Sequence, residues 1–163
     1  MRTALTLLLA AALAASLAES LAAYDRKDFD RIVDFATTVK TLDGLSAAQA
    51  RERGLAGRLL LLDGTGAALR FLDSEEATFA VEMELVAGEW VGLEEVKIYR
   101  CRIRFQGPAF FRQFPRRAPK SPEPSQVALD DRVLVVAKTL LKGGEESGQP
   151  LWLLQGLHVR PIR

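Results

Sequence analysis

The chain has one cysteine, Cys101, one histidine, His158, and no asparagine. A lone cysteine excludes an intrachain disulfide, so the fold must be held by its core alone. Cys101 then reads as a buried strand residue, with pairing to another molecule as the alternative. One histidine and one cysteine cannot supply a zinc site of Cys and His ligands. A Ser-His-Asp triad would need His158 as its base, yet no serine sits in a Gly-x-Ser-x-Gly elbow. Gly64-x-Gly66 lacks the third glycine and the Lys-Ser/Thr of a phosphate-binding loop. The paired acids Glu75-Glu76, Glu94-Glu95, Asp130-Asp131 and Glu145-Glu146 all fall in turn or loop contexts, where solvated carboxylates are ordinary. No cofactor and no metal is expected, and the reading leans away from an enzyme.

Charge of one sign is also missing in the sum. With a formal charge of +1, the chain cannot hold polyanions by bulk charge, so any such binding must be local. There is one long apolar run, Ala4–Leu17, behind Met1-Arg2-Thr3. It falls short of the ~20 residues of a spanning helix. It fits a secretory signal peptide over residues 1–22, cut after Ala18 or Ala22, with an uncleaved membrane anchor as the alternative. The expected location is therefore exported, periplasmic or extracellular. The excess of 16 Arg over 6 Lys suggests a GC-rich bacterial source.

What is present is a sorted pattern of charge. From Asp73 to Glu95 there are eight acidic residues and no basic one; from Lys97 to Lys120 there are eight basic residues and no acidic one. Phe79, Val81, Met83 and Leu85 alternate with Ala80, Glu82 and Glu84. Tyr99, Cys101, Ile103 and Phe105 alternate with Arg100, Arg102 and Arg104. Such period-2 patterns predict two strands with one apolar face each. Paired around a Gly88–Gly92 turn, with Glu82 near Arg100, they set negative against positive on the outer face.

Upstream, Tyr24–Lys40 carries an apolar stripe of Phe29, Ile32, Val33, Ala36 and Val39 that predicts an amphipathic helix. Ser46-x-x-Gln49 predicts a capping box for a second helix, stopped by a left-handed Gly54. Arg58–Leu62 and Ala67–Leu72 read as extended, joined by a turn or bulge at Asp63–Gly66. Asp131–Leu141 and Leu151–Val159 complete the strands.

Residues 106–126 hold five of the seven prolines, which rules out a long helix or central strand there. The segment carries Phe110, Phe111 and Phe114 beside Arg112, Arg116, Arg117 and Lys120. These are the candidate binding residues, with Arg100, Arg102 and Arg104 on the neighbouring strand. The aromatics suit stacking or a membrane interface, and the cations suit phosphates or anionic headgroups. Alternatively, the phenylalanines fold back over the open end of a barrel and the arginines stay solvated.

The order of elements, with the Leu129–Lys138 run as a fourth strand and Leu151–Ile162 as a fifth, resembles the OB-fold over Gly57–Ile162. The resemblance implies an α+β, mainly β domain, with N-terminal helices (23–56) packed on a five- to six-stranded antiparallel barrel (57–163). The crossover of such barrels is usually helical, and here it is proline-rich, which leaves closure open. OB-folds often bind oligonucleotides or oligosaccharides on their second and third strands, which implies a site on the Glu82–Arg104 face or the loop beside it. The sequence itself carries no clear nucleic-acid signature. The expected function is a non-enzymatic binding or assembly module of the bacterial envelope. Its partner would be an anionic ligand, an envelope protein or a membrane surface; the oligomeric state is not encoded legibly. The alternative is a small-molecule carrier or enzyme that uses the barrel interior.

Overall fold

The computed structural model describes residues 26–117, 121, 123–146 and 149–162. The region read as a signal peptide lies outside the described residues, as does Lys120. The chain divides after Arg31 into an N-terminal unit and a barrel unit, Ile32–Arg163. Helix α1 (Arg26–Ile32) falls almost wholly in the first unit.

The long amphipathic helix expected over Tyr24–Lys40 is broken. After α1 come a two-residue strand, β1 (Val33–Asp34), and a short helix, α2 (Val39–Asp43). Asp34 makes the break: its Oδ1 accepts from the backbone N–H groups of Ala36 (2.8 Å) and Thr37 (3.0 Å), and its Oδ2 accepts from the Thr37 hydroxyl. Those bonds satisfy the backbone in a turn, which competes with helix. Thr38 then caps α2 through a reciprocal box with Thr41. Helix α3 (Ala47–Glu52) starts as the sequence predicts, with Ser46 and Gln49 in a capping box. Gly54 follows at φ +66°, a conformation in which a side chain would be strained.

Five long strands form the barrel: β2 (Leu59–Asp73), β3 (Ala80–Val91), β4 (Glu95–Gln106), β5 (Arg132–Glu146) and β6 (Gln149–Pro161). The sheet order is β1-β2-β3-β4-β6-β5, and a further β2–β5 pairing closes the ring. Most neighbours are antiparallel, but β1–β2 and β4–β6 are parallel. Strand β2 serves both sides of the closure, pairing β5 through Leu59–Thr65 and β3 through Thr65–Asp73. The change of partner happens at Gly64 and Gly66. A Cβ on Gly64 would lie 2.7 Å from the Val86 carbonyl oxygen, so only glycine lets the strand bend across so closely.

The inward faces are those the alternation predicts. Val81, Met83, Leu85, Cys101, Ile103, Phe105, Val133, Val135 and Ala137 are all fully enclosed, with Leu60 and Leu62 from β2. Helices α2 and α3 contribute Val39, Leu42 and Ala50 to the same core, and Trp152 donates its Nε1–H to the Leu45 carbonyl. Phe114 and Val127 plug one end, joined by a backbone bond from Val127 N–H to the Gln113 carbonyl.

One register differs from expectation. The β3–β4 turn is Gly92–Glu94, with Val91 opposite Glu95, so Glu82 faces Arg104, not Arg100. The displacement is an even number of residues, which leaves every side chain on its expected face.

Candidate functional site

The outer face of β3 and β4 is where the charge blocks meet. Glu82 is only 5% exposed, and both its oxygens are used. Arg104 donates to Oε1 from Nε (3.0 Å) and Nη2 (2.6 Å), while Arg70 of β2 donates to Oε2 (2.6 Å). Burial pushes this carboxyl up, but the hydrogen bonds from Arg104 and Arg70 outweigh it and hold the pKa below the usual glutamate range. Arg100 sits 3.5 Å from Glu84, and Arg102 lies opposite Glu84 in the ladder. Charges on this face are thus largely committed to one another. The sequence pattern located the arginines but gave no sign that Arg70 would join them.

The proline-rich segment is arranged differently. After a turn of 3-10 helix at Pro108–Phe110, the three phenylalanines part ways. Phe110 and Phe114 pack on Phe105, with ring centroids 5.2 and 5.0 Å away, and serve the core. Phe111 is 37% exposed and meets Phe79 edge-on at 5.6 Å. Arg116 lies over the Phe71 ring at 5.5 Å. Arg112, Arg116 and Arg117 are exposed, and among the described residues none of them is ion-paired with a carboxylate. A groove of about 560 Å³ runs beside Arg112 and Arg116, lined also by Ser74, Phe79, Phe111, Phe114, Pro115, Glu123 and Gln126. Phe79, which backs this groove, stands in the sequence only as one of the alternating strand hydrophobics.

Other chemistry is not assembled. Cys101 is enclosed in the barrel and His158 is exposed on β6, so the two cannot act as a dyad. Among the described residues no cluster of His, Cys, Asp or Glu is arranged to hold a metal.

No family model matches this sequence, and no curated protein matches it. Solved structures do align. One is the small single-stranded DNA-binding protein from Streptomyces coelicolor, 10% identical over 64% of this chain and 91% of that one, at a TM-score of 0.36. Another is the Plasmodium falciparum SSB in complex with ssDNA, 13% identical over 64% of this chain and 94% of that one, at a TM-score of 0.39. The likeness is one of fold, in keeping with the OB-fold-like β domain.

These comparisons correct several expectations. The two structures named are of single-stranded DNA-binding proteins, not envelope modules. The reading as an exported, periplasmic or extracellular binding or assembly module is withdrawn on that finding. With it go the envelope-protein and membrane partners, and the statement that nucleic acid has no signature here. The carrier or enzyme alternative is corrected as well: among the described residues, Leu62, Met83, Leu85, Ile103 and Phe105 are all enclosed in the barrel core.

Proposed function

We propose that the chain binds single-stranded nucleic acid in the groove beside Phe111, and that it does so with little sequence preference. The observation that carries this reading is the contrast between two sets of arginines. On the sheet face, Arg70, Arg100 and Arg104 are paired with Glu82 and Glu84. Beside the groove, Arg112 and Arg116, with Arg117 next in the chain, are exposed and, among the described residues, have no carboxylate partner, and an exposed aromatic ring lies next to them. Arginines free of acids pair with phosphates bidentately, and an exposed phenyl face stacks on any base. A filled barrel restricts binding to the outside, where this groove lies. A single strand fits better than a duplex, because stacking on Phe111 needs a base that is not already stacked on both faces. With a net charge of +1, the affinity must come from this local cluster.

The test is fluorescence anisotropy of a labelled oligothymidylate, about 20 nucleotides long, beside a duplex of equal length. The single strand should bind more tightly, and log K should fall linearly with log salt. Replacing Arg112, Arg116 and Arg117 by alanine should lower the salt slope by about 2, since each phosphate contact on a single strand contributes ~0.7. Phe111→Ala should weaken binding by about 1–3 kcal/mol with little change in slope. No binding at low salt, or equal binding by parent and triple variant, would refute the assignment.

A further inference from the structure

The proline-rich segment lines a second groove. Its stretches 112–114 and 123–126 are joined where Val127 N–H donates to the Gln113 carbonyl (2.8 Å), and together they form a wall. The residues of this wall are divided between two grooves. Arg112, Phe114, Glu123 and Gln126 line the groove beside Phe111, whereas Gln113, Pro124 and Ser125 line another, of about 440 Å³. The far bank of the second groove is the end of β6, with His158, Arg160 and Pro161.

The chemistry of the second groove suits a nucleotide. His158 and Arg160 are exposed on either side of buried Val159, so both project from the outer face of β6, with Cα atoms ~7 Å apart. Among the described residues neither is ion-paired with a carboxylate. Their cross-strand neighbours on β5 are Val136 and Leu134, not acids. The only acid of the proline-rich segment, Glu123, lines the first groove. On the wall, Gln113 Oε1 is buried and accepts no hydrogen bond from the protein. A buried acceptor needs a donor, from water or from a ligand. Every base has an N–H donor on its Watson–Crick edge, and every nucleotide of a strand brings a phosphate.

We propose that the second groove takes the next nucleotides of the same single strand after it has crossed the wall. Arg160 pairs with a phosphate, the His158 ring stacks on a base, and Gln113 accepts from a base edge. The inference rests on the reading that the groove beside Phe111 holds single-stranded nucleic acid. It adds that the binding site is two grooves long, and that it turns from the proline-rich segment onto β6.

Length dependence tests it, with oligothymidylates of about 4, 8, 12 and 16 nucleotides, the range of sites on OB-folds. Arg160→Ala with His158→Ala should bind the 4-mer as the parent does. The same variant should bind the 16-mer at least about fivefold more weakly, with a salt slope lower by about 0.7 for the lost phosphate contact. His158 is the only histidine, so its ring proton resonances report on the second groove without any substitution. They should shift with the 16-mer and stay in place with the 4-mer, at concentrations that fill the first groove. If parent and variant agree at every length, or the 16-mer leaves the ring unmoved, the second groove is off the path and the first keeps its assignment. If the variant weakens the 4-mer as much as the 16-mer, or thymidine 5′-phosphate alone shifts the ring fully, the second groove is a separate anion site and the continuous path is wrong. If the parent binds no length at low salt, the reading of the first groove falls and takes this inference with it.

Discussion

Arg104 grips Glu82 side-on across the β3–β4 ladder, with Nε and Nη2 3.0 and 2.6 Å from a single carboxylate oxygen, while Arg70 takes the other. The carboxylate is almost wholly buried and its pKa is depressed, so the folded state holds it ionised where the unfolded chain would begin to protonate it. Between the unfolded value near 4.5 and the lower folded one, the unfolded state binds more protons. The stability this group contributes is therefore complete above about pH 4.5 and is lost as pH falls through its folded pKa. Glu82→Gln should flatten the decline of Tm between about pH 5 and pH 3 relative to the parent. Asp34 and Asp63, also depressed, should keep the variant's decline from vanishing. At pH 7, Arg104→Ala should cost about 1–3 kcal/mol by urea denaturation, because a buried acid loses its main partner and keeps one exposed arginine. Parallel pH profiles for parent and Glu82→Gln would show that the pairs merely decorate the sheet.

A second prediction follows from where Gly156 meets Phe105. A Cβ at Gly156 would fall 2.2 Å from Phe105 Cε1, and the ring is backed by Phe110 and Phe114. The ring has nowhere to go. Gly156→Ala should destabilise the barrel by about 1–3 kcal/mol, the usual cost of overpacking. At Gly88 the same Cβ would meet Val96 and Ile98 at 3.4 and 3.6 Å, an ordinary distance, so Gly88→Ala should stay within about 0.5 kcal/mol of the parent. Equal effects at the two sites, read by urea denaturation, would contradict this account of the strand-to-ring approach.

How much of this was legible in the sequence depends on whether the cause is local. The inward faces of β3, β4 and β5 follow from period-2 alternation, and Ser46 and Gln49 cap α3 as their spacing demands. The hairpin register was misplaced because Gly88 looks like a turn residue, whereas it sits within strand β3 opposite Ile98. For the site, the pattern gathered Phe110, Phe111 and Phe114 together with Arg112, Arg116 and Arg117, but it could not sort them. Which phenylalanine faces Phe105 and which faces Phe79 is a matter of tertiary packing. The parallel β4–β6 pairing and Arg70's reach to Glu82 are likewise long-range. Trp90 was visible from the start, yet nothing in its neighbours says that the strand carries it past the barrel.

Asp34 gives a third prediction, since its side chain is what stops the apolar stripe of α1 from continuing as helix. It is buried, and it accepts three hydrogen bonds, from Ala36 N, Thr37 N and the Thr37 hydroxyl. Arg58 stands by, with Nη1 at 3.8 Å and Nη2 bonded to the Val33 carbonyl. Burial alone would raise this carboxyl's pKa, but the backbone and hydroxyl bonds hold it low. Asp34→Ala should cost about 1–3 kcal/mol by leaving two N–H groups without their acceptor. Asp34→Asn keeps the Oδ1 acceptor and should recover most of that loss. If both variants are equally unstable, the charge facing Arg58 matters more than the turn.

The last prediction concerns Cys101, and it tests whether the barrel is as solid as its side chains indicate. The thiol is fully enclosed on β4, and burial, helped by the charges of Asp43 and Glu84, pushes its pKa up to about 12. A thiol reacts as its thiolate, so at pH 8 only a vanishing fraction is reactive, and the reagent has no path to it. Maleimide labelling, followed by mass, should therefore be slow in the native chain and fast in denaturant. Intermediate urea should bring the rate up in step with global unfolding, because exposing this position means opening the β3–β4 and β4–β6 pairings together. Gly156→Ala, which strains the neighbouring Phe105, should quicken labelling in proportion to its loss of stability. Rapid labelling of the native chain would mean that the β4–β6 closure opens on its own, since only three residues of β4 are held there in parallel register. The enclosed interior would then be an average over open and closed barrels, with Cys101 reached through the open form.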